Sequence, residues 1–262
     1  MDISLTGKRA IICGSSKGIG AAAAKEMAKL GAAVTVIARN KEALKTLCAQ
    51  LDSSQGQLHH SLVADFSDAK ALHETINSYV NENGPFHILV NNTGGPPAGP
   101  VNKAAIEDLY SAFTQHLIGN HIMMKAVLPG MKEVGYGRII NVISTSVKIP
   151  IAGLGVSNTI RGAVANWAKT LAGEIAGEGI TVNNVLPGAT DTDRLAEIME
   201  GKSAKQGKSV ADVIKAEKSH IPAQRFGAPE ELGQAIAFLA SPAAAYINGI
   251  NMPVDGGRTG CL

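Results

Sequence analysis

The sequence predicts an α/β protein, a single Rossmann-type doubly wound domain with a seven-stranded parallel sheet. Short apolar runs alternate with longer segments of helical periodicity along the whole chain, which is typical of βαβ units. The runs are rich in Val, Ile and Leu, as expected of strands that are buried on both faces. The chain has 262 residues, of which 45% are hydrophobic, so one large core can form.

The elements follow one another in a regular order. Strands are expected at residues 8–14, 33–38, 58–64, 86–91, 137–143, 180–186 and 249–254, and helices at 18–30, 41–51, 68–82, 103–132, 156–178 and 229–240. Between the sixth strand and the last helix, residues 190–220 mix five lysines with apolar residues at helical spacing. This spacing predicts short amphipathic helices. Residues 1–262 therefore form one dinucleotide-binding domain, in which the insertion at about 190–220 serves as a substrate lid or as a solvated basic face.

Composition narrows the class of partner. Lys and Arg number 24 against 22 Asp and Glu, so neither nucleic acid nor an anionic membrane is expected as the main partner. The three cysteines form no C-x-x-C pattern and no cluster with histidine, which indicates neither a disulfide framework nor a metal site. No secretory leader pattern and no apolar stretch of membrane-spanning length is visible. We expect a cytoplasmic protein with a small-molecule substrate.

A glycine-rich loop, Gly14–Gly20, joins the first strand to the first helix. Glycines at positions 14, 18 and 20 allow a tight turn, the approach of backbone N–H groups to a pyrophosphate and close packing of the helix on the strand. The strand–loop–helix context predicts a phosphate cradle, to which Ser16, Lys17 and Ile19 also belong.

The end of the second strand indicates which dinucleotide the cradle binds. NAD sites usually carry an acidic residue there, whereas this chain has Arg39. A guanidinium can bind a 2′-phosphate with two hydrogen bonds, and Lys17 adds a second positive charge. The sequence therefore predicts NADP(H), unless Arg39 is a solvent-exposed residue without a ligand.

Several ordered motifs resemble those of the short-chain dehydrogenases/reductases, and most closely the β-ketoacyl carrier-protein reductases. They are Gly14-x-x-x-Gly18-x-Gly20, Asn91-Asn92-x-Gly94, Pro187-Gly188 and Val254-Asp255-Gly256-Gly257. The resemblance covers the chain from Leu5 to Gly257. It implies a homotetramer assembled through the helices at 103–132 and 156–178 and through the C-terminal strands.

The resemblance also implies cofactor-binding roles for matching positions. Asp65 would bond the adenine amino group, Asn92 and Gly94 would line the adenosine ribose, and Thr192 would hold the nicotinamide carboxamide. Pro187 and Gly188 would complete this side of the site.

The catalytic positions depart from the family's pattern. Ser144 matches the catalytic serine, but the expected tyrosine thirteen residues later is Ser157. The expected lysine four residues further on is Arg161, and the usual asparagine of the central helix is His116. The resemblance therefore implies an atypical member that lacks the catalytic tyrosine and lysine.

These replacements bear on proton transfer. A serine hydroxyl is a weaker acid than a phenol, whose pKa is about 10. Arg161 can hold the nicotinamide ribose, but it stays charged and cannot relay a proton as a lysine can. His116 could pass protons from water, or it could simply pack in a helix.

Three hypotheses remain. The first is an NADP(H)-dependent oxidoreductase that reduces a carbonyl with Ser144, Ser157, Arg161 and His116 at the site. The second is a non-catalytic dinucleotide-binding protein. The third is a carrier-binding module that uses the lysine-rich segment to dock an acidic acyl carrier or coenzyme A. Fold alone does not choose among them.

Overall fold

The computed structural model describes residues 1–261, and its centre is one sheet of seven parallel strands. The strands are β1 (Arg9–Cys13), β2 (Ala33–Ala38), β3 (His60–Val63), β4 (Ile88–Asn91), β5 (Gly137–Val142), β6 (Ile180–Pro187) and β7 (Asn251–Val254). Their order across the sheet is β3-β2-β1-β4-β5-β6-β7. The predicted doubly wound fold is confirmed, and each strand lies within two residues of its predicted bounds.

Helices cover both faces of the sheet. They are α1 (Gly18–Lys29), α2 (Lys41–Gln50), α3 (Ala69–Asn83), α4 (Ile106–Phe113), α5 (Gly119–Val134), α6 (Gly155–Ile175), α7 (Asp193–Gln206), α8 (Val210–Ser219) and α9 (Pro229–Ala240). Within residues 1–261, no helix combines the length and the apolar character that a membrane span requires.

Side-chain alternation along the strands divides the core into two layers. Ile12 and Val36 pack with the helices α1, α2 and α9, whereas Ile11 and Ile37 pack with α3, α5 and α6. This is the period of two that a strand imposes on its side chains. Because both layers are apolar, the central strands are buried on both faces, as their composition predicted.

The segment predicted as one helix over 103–132 is interrupted. A π-helical turn, Thr114–Ile118, lies between α4 and α5. Such a turn inserts one extra residue into a helix, and it often marks a functional site. The predicted helix over 156–178 likewise ends at Ile175 and continues as a 3₁₀ turn, Ala176–Glu178.

Two amphipathic helices, α7 and α8, occupy the 190–220 insertion. Each buries an apolar side chain, Met199 from α7 and Val213 from α8. Lys202 of α7 and Glu217 of α8 form an ion pair that joins the two helices. The prediction of short amphipathic helices is therefore confirmed.

A row of asparagines crosses four neighbouring strands. Asn91, Asn141, Asn184 and Asn251 are paired in register from β4 to β7. Each side-chain amide donates to the next oxygen along the row, at 2.9, 2.9 and 2.8 Å. Shifting a strand by one residue would turn its asparagine to the other face and break the row. These hydrogen bonds therefore specify the register at the carboxyl ends of the strands.

We expect Asn141→Ala to lower the free energy of unfolding by about 2–5 kcal/mol, because it leaves the Asn91 amide and the Asn184 oxygen buried without these partners. Urea denaturation measures the change. Asn77→Ala is the matched control, because the Asn77 amide donates to the His73 carbonyl at an exposed site, and its effect should stay within about 0.5 kcal/mol. Equal effects of the two substitutions would contradict the role given to the row.

Candidate functional site

A cleft of about 950 Å³ opens at the carboxyl ends of the strands. It lies at the point where the strand order reverses between β1 and β4, which is where doubly wound sheets bind ligands. The residues singled out from the sequence that line it are Gly14, Ser16, Lys17, Gly18, Ile19, Arg39, Asp65, Asn92, Gly94, Ser144, Ser157, Arg161, Pro187, Gly188 and Thr192. The fold thus brings together residues that are far apart in sequence.

The glycine loop is held against the end of β4. The Asn92 side-chain amide donates to the carbonyl oxygens of Cys13 and Gly14, at 3.4 and 3.1 Å. Gly14 has a φ of +57°, and a Cβ there would lie 2.4 Å from the Asn92 carbonyl oxygen. A Cβ on Gly20 would lie 2.3 Å from the Gly14 carbonyl oxygen. Only glycine fits at these two positions, so Gly20 shapes the loop from behind the cleft.

The N-terminus of α1 is open to an anion. Its N-cap residue, Lys17, makes no side-chain capping bond, and the first turn contains no acidic residue. Ser16, Gly18 and Ile19 line the cleft beside it. Unpaired backbone N–H groups and the positive end of the helix dipole favour a negatively charged ligand. The loop therefore fits the pyrophosphate of a dinucleotide.

Two charged residues line the cleft just after β2 and β3. Arg39 is exposed and forms no ion pair within residues 1–261. Asp65 accepts a hydrogen bond of 2.9 Å from the backbone N–H of Ser67. That bond, together with the nearby positive charge of Arg39, lowers the pKa of Asp65. Arg39 is thus accessible to a phosphate, and Asp65 is a hydrogen-bond acceptor beside it.

The mouth of the cleft is crossed by the start of α7. The Lys17 ammonium pairs with the Asp193 carboxylate at 2.8 Å, and both side chains are exposed. On the other side, Arg194 Nη2 donates to the Pro96 carbonyl oxygen at 3.0 Å. Thr192 caps α7 and lines the cleft between these contacts. An exposed ion pair contributes little stability, so Lys17 can exchange Asp193 for a phosphate.

Three of the residues that the sequence predicts as catalytic lie together in the cleft. The Ser144 hydroxyl follows β5 and accepts a hydrogen bond of 3.0 Å from the backbone N–H of Ser146. Ser157 lies near the start of α6, and Arg161 follows one turn later on the same helix face. Arg161 Nη1 donates to the Val142 carbonyl oxygen at 2.9 Å. The structure therefore places two hydroxyl groups and one guanidinium in a single pocket.

His116 lies behind this group and not in the cleft lining. Its side chain is 2% exposed, and Nδ1 lies 2.5 Å from the Thr93 hydroxyl oxygen. Burial, and secondarily the charge of Arg161, lower the pKa of His116 to about 2, although a hydrogen bond with the backbone of Gly94 opposes this shift. The imidazole is therefore neutral at physiological pH.

The four tyrosines of the sequence lie outside the cleft lining. Tyr79 bonds the Thr35 hydroxyl, and Tyr136 donates to the Ala240 carbonyl oxygen. Tyr110 and Tyr246 are exposed to solvent. Within residues 1–261, no phenol takes the position that Ser157 occupies.

Some contacts of the site gave no signal in the sequence. The bond between Thr93 and His116 joins residues 23 positions apart, and the pair formed by Lys17 and Asp193 spans 176 positions. Thr93 follows the Asn91-Asn92 motif directly, so its place at the cleft could be inferred, but its partner could not.

Comparisons with known proteins agree with this arrangement. Residues 14–259 match the family model described as enoyl-(acyl carrier protein) reductase. The chain is 32% identical to D-threitol dehydrogenase of Mycolicibacterium smegmatis, over 98% of this chain and 95% of that protein. It is 32% identical to the 3-oxoacyl-[acyl-carrier-protein] reductase FabG of Vibrio harveyi, over 97% and 98%. The crystal structure of L-sorbose reductase from Gluconobacter frateurii, complexed with NADPH and L-sorbose, superposes with a TM-score of 0.93 at 30% identity, over the full length of both chains.

The low pKa of His116 predicts a dependence of stability on pH. The unfolded chain takes up a proton on this imidazole below its ordinary pKa of about 6.5, whereas the folded protein does so only near pH 2. The stabilisation is therefore complete above pH 6.5 and is lost as the pH falls towards 2. Between pH 7 and pH 5 we expect His116 to account for a loss of about 2 kcal/mol in the free energy of unfolding.

Urea denaturation of the natural protein and of His116→Gln at both pH values measures this contribution. The variant should keep only the dependence due to other groups, such as His87, whose pKa burial lowers to about 4. An unchanged pH dependence in the variant would show that His116 is not buried in its neutral form.

Proposed function

The chain belongs to the short-chain dehydrogenase/reductase family, and on that premise we propose that it is an NADP(H)-dependent oxidoreductase that reduces a carbonyl group at an atypical site. The observation that carries the proposal is one cleft in which an open helix N-terminus and Arg39 lie at one end and Ser144, Ser157 and Arg161 at the other. The similarity to L-sorbose reductase, which was crystallised with NADPH and its sugar, supports the choice of cofactor.

The residues of the cleft fit the parts of the cofactor. The glycine loop and the start of α1 would bind the pyrophosphate, Arg39 and Lys17 the 2′-phosphate, and Asp65 the adenine amino group. Asn92 and Gly94 would line the adenosine ribose, and Pro187, Gly188 and Thr192 the nicotinamide side, with Arg161 at the nicotinamide ribose. The bound cofactor would supply the hydride.

The protein's own groups would bind and polarise the carbonyl. The Ser144 oxygen already accepts from the Ser146 N–H, so its hydrogen can be donated to a substrate oxygen. The Ser157 hydroxyl and the Arg161 guanidinium lie in the same pocket and would stabilise the negative charge that develops on that oxygen. Because His116 is neutral, it cannot act as an imidazolium acid. The proton would therefore come from water, and either the Ser157 hydroxyl or the neutral His116 imidazole would relay it to the substrate oxygen.

A second candidate is a protein that binds the dinucleotide without turnover. The observation in its favour is that none of the four tyrosines lines the cleft.

A carrier-binding role would use the exposed Lys205, Lys208 and Lys215 of the α7 and α8 region. For the same two helices we propose a substrate lid, because α7 crosses the mouth of the cleft.

We also propose a homotetramer, and exposed apolar residues on α4 support this proposal. Ile106, Tyr110 and Phe113 lie on one face of this helix and are 65%, 70% and 40% exposed. Apolar exposure of this kind marks an association surface. Sedimentation equilibrium should show a tetramer, and Tyr110→Glu should shift it to smaller species. A monomer at all protein concentrations would contradict this prediction.

We expect NADPH to bind more tightly than NADH, and Arg39→Asp to reverse the preference. Each charge-assisted contact to the 2′-phosphate contributes about 1.5–3 kcal/mol, which corresponds to about 10- to 100-fold in affinity. Fluorescence titration with both cofactors measures the effect. Lys70→Asp is the matched control, because Lys70 is an exposed residue of α3 outside the cleft. Equal affinity for both cofactors, unchanged by Arg39→Asp, would reject the proposed phosphate site.

Restoring the family's residues tests the proposed activity. If proton delivery alone limits the natural protein, His116→Asn, Ser157→Tyr and Arg161→Lys together should raise the reduction of an activated neutral ketone by about 10²–10⁴. Single substitutions should do less, because such groups act as a unit. The measurement is NADPH oxidation at matched cofactor occupancy.

The result separates the alternatives. Rapid turnover by the natural protein that falls in the triple variant would show that the atypical residues form a working site of their own. Bound cofactor without turnover in either protein would favour the non-catalytic role.

A further inference from the structure

The Arg161 side chain is a buried positive charge without a protein counter-charge. It is 8% exposed. Its one hydrogen bond within residues 1–261 goes to the neutral carbonyl of Val142. No carboxylate of the described residues lies within 4 Å of it. Burial alone lowers its pKa to about 10. A buried charge in this condition is unfavourable unless a partner binds it.

Neighbouring groups do not supply the missing negative charge. His116 is neutral, and the positive charge of Arg161 helps to keep it so. Ser144 and Ser157 carry only hydroxyl groups. Among the acidic residues that line the cleft, Asp193 already pairs with Lys17, and Asp65 and Asp191 form no ion pair with Arg161. No described group of the protein thus compensates the charge, and an anionic ligand in the cleft would do so.

The free donors of Arg161 are accessible from the cleft. A guanidinium has five N–H donors, of which one is used here. None of its nitrogens is among the enclosed atoms without a partner, and the residue lines the cleft. Ser157 lies one turn earlier on the same face of α6, and both residues line the cleft.

A ribose hydroxyl could accept one of these bonds, but it would bring no charge. The cofactor's phosphates have their own site at the glycine loop and the start of α1. A carboxylate matches the two parallel donors of a guanidinium and neutralises it.

We propose that the substrate is a carbonyl compound that carries a carboxylate next to the carbonyl, a 2-oxo acid, and that Arg161 binds this carboxylate. The inference rests on the proposed function. Ser144 and Ser157 would then donate to the oxygen being reduced. The carbon–oxygen π bond is replaced by a C–H bond from the hydride of NADPH and an O–H bond from a proton of water, so that a 2-hydroxy acid and NADP⁺ result.

The first measurement is kcat/KM with NADPH for phenylglyoxylate and for its neutral methyl ester. The keto group of the ester is more electrophilic than the keto group of the acid. A preference for the acid therefore reports recognition of its carboxylate charge. We expect the natural protein to favour the acid at least tenfold, Arg161→Gln to abolish the preference, and Arg161→Lys to keep part of it. Arg194→Gln is the matched control, since this guanidinium at the cleft mouth already pairs with Glu197 and the Pro96 carbonyl. It should retain the preference.

The second measurement needs no turnover. Isothermal titration of oxamate and of neutral oxamide, with NADP⁺ present, should show oxamate binding that weakens at least tenfold in Arg161→Gln and much less in Arg161→Lys. Circular dichroism verifies the fold of each variant. Because Arg161 is also proposed to contact the nicotinamide ribose, the titrations are made at NADP⁺ concentrations that saturate each variant, so that a loss of oxamate binding is separated from a loss of cofactor.

The outcomes are distinct. Reduction of the ester as fast as the acid, or oxamate binding unchanged by Arg161→Gln, would overturn the inference. Loss of acid preference in Arg194→Gln alone would assign the carboxylate to Arg194 and also overturn it. A fall in NADPH affinity in Arg161→Gln without loss of oxamate binding would limit Arg161 to the nicotinamide ribose and would overturn the inference. Oxamate binding without reduction of either substrate would count against the proposed activity and still support the anion site.

Discussion

The alignment of parallel strands at their carboxyl ends is the constraint on which the rest of the structure depends. Because every strand runs in the same direction, the loops that follow β1, β4, β5 and β6 all open on one edge. The asparagine row sets the register of β4 to β7 there. Asn92 follows Asn91 of the row, and its amide donates to the Gly14 carbonyl of the glycine loop. Val142 follows Asn141, and its carbonyl accepts a hydrogen bond from Arg161. A polar network inside the sheet thus positions both ends of the cleft.

The two ends of the cleft differ in how exposed their positive charges are to solvent. At the glycine loop, exposed cations lie beside an open helix N-terminus, so an anion can bind there with little desolvation. At the end lined by Ser144 and Ser157 the guanidinium of Arg161 is buried. Burial, and secondarily the charge of Arg161, keep the nearby His116 neutral. The first end suits a cofactor that carries several phosphates. At the second end the protein leaves the charge of Arg161 without a carboxylate partner, and this is the basis of the anion site proposed there.

Membership of the family constrains the fold and the place of the site more than it constrains the chemistry. The relatives reported above include a threitol dehydrogenase and a 3-oxoacyl carrier-protein reductase at equal identity, so identity of this degree does not distinguish substrates. Under the proposed function, this chain carries the Ser157 hydroxyl and the Arg161 guanidinium where the family resemblance implies a phenol and an ammonium. The pocket that they line contains a guanidinium and no tyrosine.

Much of this protein could be read from local pattern. Alternating apolar runs and helical periodicity located the seven strands to within two residues, and the glycine spacing located the loop after β1 that lines the cleft, because both depend on neighbours along the chain. Interactions between segments that are far apart in the chain could not be predicted from such local patterns. The π-helical turn that contains His116, the bond from Thr93 to it and the pairing of Lys17 with Asp193 all depend on which loops meet at the sheet edge. Burial and the protonation state of His116 follow from that meeting, since a residue's solvation is set by the groups packed around it and not by its sequence neighbours.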